Sequence, residues 1–315
     1  MHYLITGGAG FIGYNLTKML SEKGHQVTIV DNLSSDMEHN LPETSADLVI
    51  GDVRDETLMN ALVKKADYIM HLASVVGVRR TQKNRLQTVH VGVIGTENIM
   101  QAATRYEKEV FLASSSAVYG KIEQNPVPED ADCRYGPSTN PSWAYSATKL
   151  MQEQLAIGYH KKKGTDIKIG RFFNVTGPLQ PPSSGMVVPT FVSKCLNDEP
   201  ILVFGDGKQT RTFVDANDAV RGAILVCQKG QPATPYNIGA SREISIMQLA
   251  KKIRNLTDSK SDIKKIPYRQ VYGEDYEETR QRRPDIRRLQ QLGYHPRADI
   301  DQILKRVIRH QRSQG

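Results

Sequence analysis

Thr6-Gly7-Gly8-Ala9-Gly10-Phe11-Ile12-Gly13 decides how the rest of the chain is read. Before it runs His2-Tyr3-Leu4-Ile5, a short, mostly apolar stretch the length of a buried strand. After it, Leu16, Met19 and Leu20 recur on one helical face until Gly24 ends the pattern. Val27-Thr28-Ile29-Val30 reads as a second strand that stops at Asp31. A strand, a glycine turn, a helix and a strand in this order form a dinucleotide-binding unit. Gly7 permits the tight turn, Gly10 lets backbone approach a pyrophosphate, and Gly13 lets the helix lie close to the strand. The helix N-terminus offers unpaired N–H groups and partial positive charge to phosphates. A carboxylate at Asp31 accepts from both ribose hydroxyls and repels a 2′-phosphate, so the pattern points to NAD rather than NADP.

The chain of 315 residues suits one large or two fused domains, and 39% hydrophobic with 24% charged residues is ordinary globular composition. No apolar run approaches membrane-spanning length, and a strand beginning at the first Met leaves no room for a signal peptide. Cys133, Cys195 and Cys227 are widely spaced and make no metal or redox motif, so a reduced, cytoplasmic setting without a metal is expected. The net charge of +8 gathers late, at Lys251-Lys252, Lys264-Lys265, Arg280 to Arg288 and Lys305 to Arg312. Such runs are read as solvated faces, with no nucleic-acid module among them and no membrane partner.

Further along, Leu48-Val49-Ile50 forms a third strand running into Gly51-Asp52-Val53. Asp52 either bonds an adenine amino group or caps the helix that begins near Glu56. Tyr68 to Ala73 is a fourth strand, in which His71 reads as a satisfied core histidine. A helical pattern covers Leu86 to Arg105, and Val110 to Ala113 is a fifth strand that delivers Ser114-Ser115-Ser116 to the carboxyl edge of the sheet. Residues 121–142, with Pro126, Pro128, Pro137 and Pro141, read as a loop over the site. In the helix from Ala144 to about Lys163, Tyr145 and Lys149 lie four apart and share a face. An ammonium there is expected to lower the tyrosine pKa toward working pH. Beyond a sixth strand, Asp166 to Phe172, the pattern turns irregular. Met186 to Leu196 and Val214 to Cys227 read as helices, Tyr236-Asn237-Ile238 as a strand, Ser245 to Leu256 as a capped helix, and Ile300 to Arg309 as an amphipathic one.

Together the glycine turn, Asp31, Asp52-Val53, His71-Leu72-Ala73, Ser115, Tyr145/Lys149, Arg171-Phe172-Phe173-Asn174 and Gly205 to Arg211 resemble the extended short-chain dehydrogenase/reductase family, in its nucleotide-sugar-modifying branch. The resemblance implies an α/β fold. A Rossmann-type doubly wound parallel sheet would cover 1–170 with a return segment near 214–238, and a smaller mixed α/β substrate domain would cover 171–315. It implies NAD held by Gly7, Gly10, Phe11, Ile12, Gly13, Asp31, Asn32, Asp52, Val53, Leu72, Ala73, Tyr145 and Lys149. Tyr145 would take the proton from the C4 hydroxyl, Ser115 would bond that oxygen, and Lys149 would hold the nicotinamide ribose. Ser116, Asn174, Val187, Arg211 and Arg282 would join Ser115 around a nucleotide-sugar, and the helices at 86–105 and 144–163 would pair in a homodimer.

Within the branch the signals divide. Pro141 to Tyr145 and Arg282-Arg283-Pro284-Asp285-Ile286 resemble UDP-glucuronate decarboxylases and 4,6-dehydratases, which generally carry a glutamate two residues after the catalytic Ser/Thr. Here Ala117 stands there, and Ser115 to Gly120 is closer to 4-epimerases. The reading drawn from sequence is therefore 4-epimerisation of a UDP-hexose or derivative, ahead of decarboxylation or dehydration, with a non-catalytic NAD sensor more remote.

Overall fold

Alternating apolar and β-branched residues at the front of the chain build parallel strands, and the computed structural model describes residues 1–34, 44–273 and 279–314. Between Asn32 and Asp47, a polar stretch that reads as a loop, residues 35–43 lie outside the described residues. The chain runs β1 (His2–Thr6), α1 (Phe11–Glu22), β2 (Gln26–Asp31), β3 (Asp47–Ile50), α2 (Glu56–Lys65), β4 (Tyr68–His71), α3 (Val78–Lys83), α4 (Arg85–Arg105) and β5 (Glu109–Ser115). It continues through α5 (Ala144–Lys163), β6 (Ile167–Phe172), β7 (Val175–Thr176), α6 (Val187–Leu196), β8 (Ile201–Phe204), β9 (Thr210–Thr212) and β10 (Val214–Asp215). Then follow α7 (Ala216–Lys229), β11 (Pro235–Ile238), β12 (Glu243–Ser245), α8 (Ile246–Thr257), β13 (Ile263–Ile266), α9 (Tyr268–Tyr272), α10 (Arg287–Gln290) and α11 (Ile300–Arg312).

Seven strands form one parallel sheet in the order β11-β6-β5-β4-β1-β2-β3. The order reverses between β1 and β4, which opens a crevice at their carboxyl ends. Strand periodicity sorts side chains to the two faces. Tyr3, Ile5, Val27, Ile29 and Phe111 pack with Leu16 and Leu20 of α1 and Val220 and Ala223 of α7. Leu4, Val30, Val110, Leu112, Ile167 and Ile169 pack with α2, α4 and α5 through Met59, Val63, Ile99, Met100 and Ala156. Both faces are covered, as an all-parallel sheet requires.

A separate apolar cluster joins α6, α8 and α11 through Val188, Phe191, Leu249, Ile253, Leu304 and Val307. The last two helices start at capping boxes, Ser245 with Gln248 and Asp299 with Gln302, each satisfying orphan backbone donors reciprocally. Three two-stranded sheets, β10-β7, β12-β9 and β13-β8, connect this region. The segment read as one helix from Val214 starts instead as β10, because Val214 and Asp215 pair with Val175 and Thr176; Asp215 then caps α7. Among the described residues no helix is long and apolar enough to cross a membrane.

Helices α4 and α5 lie against each other where Gly92 faces Thr148. A Cβ on Gly92 would fall 2.2 Å from Thr148 Cγ2, and that side chain is locked by its hydroxyl donating to Ala144 O at 2.7 Å. Alanine improves helix propensity by about 1 kcal/mol at most, whereas overpacking costs about 1–3 kcal/mol. Gly92→Ala is therefore expected to lower the urea midpoint of unfolding without changing its slope.

Candidate active site

The glycine turn closes on three neighbours at once. Gly7 has φ +70, and a Cβ there would lie 2.8 Å from Ala73 N. One on Gly13 would lie 2.3 Å from Gly7 O and 2.6 Å from Gly8 Cα. These positions accept no side chain, which lets α1 butt against the end of β1 and aim its first turn into the crevice. Gly10 caps α1 without a side-chain bond, leaving the helix N-terminus suited to an anion. Asp31 ends β2 beside this turn, accepting from Ala9 N at 3.0 Å and Leu33 N at 2.9 Å. Phe11 approaches Gly177, and Ile12 packs against the core beneath the sheet.

Asp52 does not cap α2, one of the two roles open to it from its position. The cap of α2 is Asp55, whose carboxylate accepts from Leu58 N. Asp52 instead receives Asn32 Nδ2 at 3.2 Å and Arg54 Nε and Nη2 at 2.9 and 2.8 Å. Those Arg54 bonds hold its carboxyl down at about 2. Val53 offers its carbonyl to Asn98 Nδ2 at 3.0 Å. Leu72 and Ala73 are stitched to β1 by Leu72 N to Thr6 O at 3.1 Å and Ala73 N to Thr6 Oγ1 at 3.1 Å. His71 sits wholly inside, between Thr6 Oγ1 at 2.7 Å and Thr96 Oγ1 at 3.0 Å, a core histidine as expected.

At the carboxyl edge, β5 extends two residues further than its apolar run and ends at Ser115, ahead of a 3-10 turn over Ser116–Tyr119. Ser115 Oγ accepts from Ala117 N at 3.2 Å and hydrogen-bonds the Tyr145 phenol. Helix spacing places Lys149 Nζ 6.0 Å from the Tyr145 ring centroid, and the ammonium donates to Ala113 O at 2.7 Å. Ser115, Tyr145 and Lys149 thus meet where β5 and α5 converge.

The expected lowering of the tyrosine pKa is not found in the chain alone. Burial pushes Tyr145 up to about 12, and the Ser115 bond opposes it only in part. Burial also brings Lys149 down to about 8, with Glu153 pulling the other way. Desolvation disfavours each charged form, and it outweighs a lysine turned toward a backbone carbonyl.

Behind this trio lies a buried ion pair that sequence reading missed. Arg171 Nε and Nη2 donate to the two oxygens of Glu153 at 2.9 and 2.6 Å, and both side chains are buried. Ser114 also donates to Glu153. Arg171 Nη1 reaches Tyr119 Oη at 2.9 Å and Glu129 O at 2.7 Å, while Tyr119 donates to Asn237 Oδ1 at 2.6 Å. Asn237 closes the network, bonding Val127 O at 2.9 Å and Asp285 O at 3.0 Å. Arg171 was read as the start of a new domain; it lies inside β6 and anchors the loop over the site. In sequence, Glu153 lies one helical turn past Lys149 and Arg171 opens the Arg171-Phe172-Phe173-Asn174 motif, with nothing local to join them.

The remaining expected residues occupy the rim. Asn174, at φ 36, donates to Thr212 O at 2.8 Å and so meets the strand that carries Arg211. Arg282 belongs to a segment held between β9, by Thr210 N to Arg280 O at 3.0 Å, and the loop after β5, by Val127 N to Arg283 O at 2.8 Å. Its Nη2 donates to Thr279 Oγ1 at 2.9 Å. Ser116 is buried in the turn after β5, and Val187 opens α6 against the third apolar cluster.

Comparison with known proteins places this geometry. The NAD dependent epimerase/dehydratase family matches residues 3–239. The chain is 38% identical over 310 residues to a UDP-N-acetyl-alpha-D-glucosaminuronate decarboxylase of Bacillus cytotoxicus, covering 97% of this chain and 96% of that one. The UDP-glucose 4-epimerase of Thermotoga maritima, solved with UDP-glucose, superposes with a TM-score of 0.91 at 27% identity, over 100% and 99% of the two chains. A dTDP-glucose 4,6-dehydratase double mutant of Streptomyces venezuelae, solved with NAD, gives 0.89 at 27% identity over 99% and 97%.

Burial holds His71 neutral, with a pKa of about 3 against an ordinary 6.5. Above pH 6.5 the folded and unfolded chains are both neutral there, so His71 adds no pH dependence. As pH falls from 6.5 toward 3 only the unfolded chain takes the proton, and stability falls, by up to about 5 kcal/mol from this residue. In urea titrations at pH 7, 5.5 and 4.5, His71→Gln should lose less stability on acidification than the parent chain.

Proposed function

The chain belongs to the NAD-dependent epimerase/dehydratase family, and from that premise we propose that it oxidises C4 of a UDP-hexuronate and releases the C6 carboxylate as carbon dioxide. The observation that carries the C4 step is the meeting of Ser115, Tyr145 and Lys149 at the mouth of the crevice. NAD, when bound, accepts the hydride from C4 and returns it at the end, so no net oxidation occurs. Gly7, Gly10, Gly13 and Asp31 fit it, because the turn admits no side chain and presents a helix N-terminus beside a carboxylate.

Tyr145 as phenolate takes the proton of the C4 hydroxyl, and Ser115 donates to the same oxygen. Lys149, kept charged, favours the phenolate and holds the nicotinamide ribose. Once C4 is a ketone, the C6 carboxylate is β to it. The C5–C6 bond breaks, its electron pair passes into the C4 carbonyl, and Ser115 and the protonated Tyr145 stabilise the enolate oxygen. C5 then takes a proton from solvent water, and Tyr145 gives its proton back to the C4 oxygen as the alcohol re-forms. No base is needed to remove a proton from carbon, so Ala117 is no obstacle to this route. Dehydration needs both a base at C5 and an acid at the departing hydroxyl, and Ala117 can supply neither. Arg282 is the cation we assign to the C6 carboxylate. The relative at 38% identity, a decarboxylase matched along nearly its whole length, supports this outcome over the one drawn from sequence.

C4 epimerisation is the second reading. Ala117 favours it too, because epimerisation needs only hydride transfer, rotation of the keto-sugar and hydride return.

Mass spectrometry and proton NMR of purified protein with UDP-glucuronate, UDP-N-acetylglucosaminuronate, UDP-glucose and UDP-N-acetylglucosamine separate the two. Loss of carbon dioxide from a uronate is expected; unchanged mass with inverted C4 coupling would make the enzyme an epimerase. Tyr145→Phe should cut kcat by about 10²–10⁴-fold in either case. We also propose a homodimer through α4 and α5, which leave Leu86, Val89, Ile94 and Met151 exposed. Light scattering after size exclusion should give twice the 35.2 kDa chain mass.

A further inference from the structure

The proposed chemistry asks Lys149 to be charged in a place that disfavours charge. Its ammonium is buried and donates to one neutral carbonyl, Ala113 O. The groups facing it are Tyr145 and Glu153 on its own helix, His71 on β4, the Ala113 carbonyl on β5 and, beyond Glu153, Arg171 on β6. His71 is held neutral by burial and both its ring nitrogens are engaged with threonines, so it brings no compensating charge. Of the anions among these groups, Glu153 is the one that acts on Lys149.

Glu153 is also fixed in place more firmly than a charge partner requires. Arg171 grips both carboxylate oxygens, and Ser114 donates to one of them. Ser114 is the residue before Ser115, whose hydroxyl meets the Tyr145 phenol. A carboxylate so held touches both halves of the site, through β5 to Ser115 and through α5 to Lys149. We infer that Glu153 is a positioning residue for the reaction: its carboxylate, clamped by Arg171 and Ser114, keeps the Lys149 ammonium charged and registers Ser115 against Tyr145.

The pair does not simply neutralise itself. Arg171 spreads its charge over Tyr119 and the Glu129 carbonyl as well, through its other terminal nitrogen. Glu153 sits on α5, one turn from Lys149, where its charge is felt first. The field of the pair at Lys149 is therefore net negative, which agrees with the upward pull that Glu153 exerts on the lysine. That part of the inference which concerns turnover rests on the proposed C4 chemistry; the charge state of Lys149 does not.

The test reads Lys149 directly. In protein labelled with 13Cε-lysine, its NMR signal is identified by its loss in Lys149→Arg, and its titration is followed in the full-length chain without substrate. Glu153→Gln should move the midpoint down by about one pH unit, while Glu153→Asp, which keeps the charge, should hold it near the parent value. Glu153→Gln leaves Arg171 buried and alone, so the pair Glu153→Gln/Arg171→Met is measured beside it and carries the test if the single variant does not fold. Its midpoint should also lie below the parent. An unmoved midpoint in these variants, or a parent midpoint in the double variant, would overturn the inference, the second because the orphaned arginine would then explain the shift. With an active substrate in hand, the alkaline limb of kcat/KM should move down with the NMR midpoint. A shifted midpoint in a protein that converts none of the UDP-sugars would count against the proposed reaction and leave Glu153's hold on Lys149 standing.

Discussion

A guanidinium and a carboxylate, both out of water, hold this molecule's working edge together. Burying Arg171 and Glu153 is costly, and the expense is tolerable only because each donor and acceptor finds a partner. The partners are what matter. Glu153 brings in α5 and β5; Arg171 brings in Tyr119 at the turn after β5 and the backbone at Glu129; Tyr119 brings in Asn237 on β11. Asn237 in turn holds Val127 and Asp285, so the loop over the site and the segment ahead of α10 are fixed to the same edge of the sheet. A hydrophobic replacement of similar volume could pack as well, yet it would supply none of this directional stitching.

The opposite constraint governs the other side of the crevice. There nothing is allowed to fill the space. Gly7 and Gly13 bring backbone within a distance that any Cβ would violate, and the benefit is an open helix terminus beside Asp31. One side of the site is made by tightly satisfied side chains and the other by their absence. The crevice between β1 and β4 lies between the two.

This division also explains what could be read from sequence. The glycine turn, Asp31, the four-residue spacing of Tyr145 and Lys149, and the caps at Ser245 and Asp299 are local patterns, and local patterns survive in one dimension. The Arg171–Glu153 pair is not local in that sense: its 18-residue separation crosses a helix and a strand, and it exists only because β6 lies beside β5 under α5. Asp52 and Asp55 look interchangeable as caps on paper; Arg54 captures the first and leaves the second to α2. The direction of the Tyr145 shift was misread for a similar reason. Spacing reveals that a lysine is near, but not that Lys149 is buried and Tyr145 half-buried, or that the lysine points to Ala113.

Burial sets the electrostatic problem this site has to solve. A phenol pushed up to about 12 by burial stays almost wholly un-ionised at pH 7. The acid–base work proposed for Tyr145 therefore depends on every positive charge that can be brought to bear on it, and in the chain itself that charge is Lys149. With its own pKa near 8, Lys149 is mostly charged at neutral pH, but by a narrow margin. A small further loss of negative field would leave it largely neutral and the phenol stranded. The fold meets this with an anion that cannot swing away, because Arg171 holds both of its oxygens. The same buried pair that fastens the loop over the site thus also stabilises the charge on which the proposed chemistry depends, one carboxylate serving both roles.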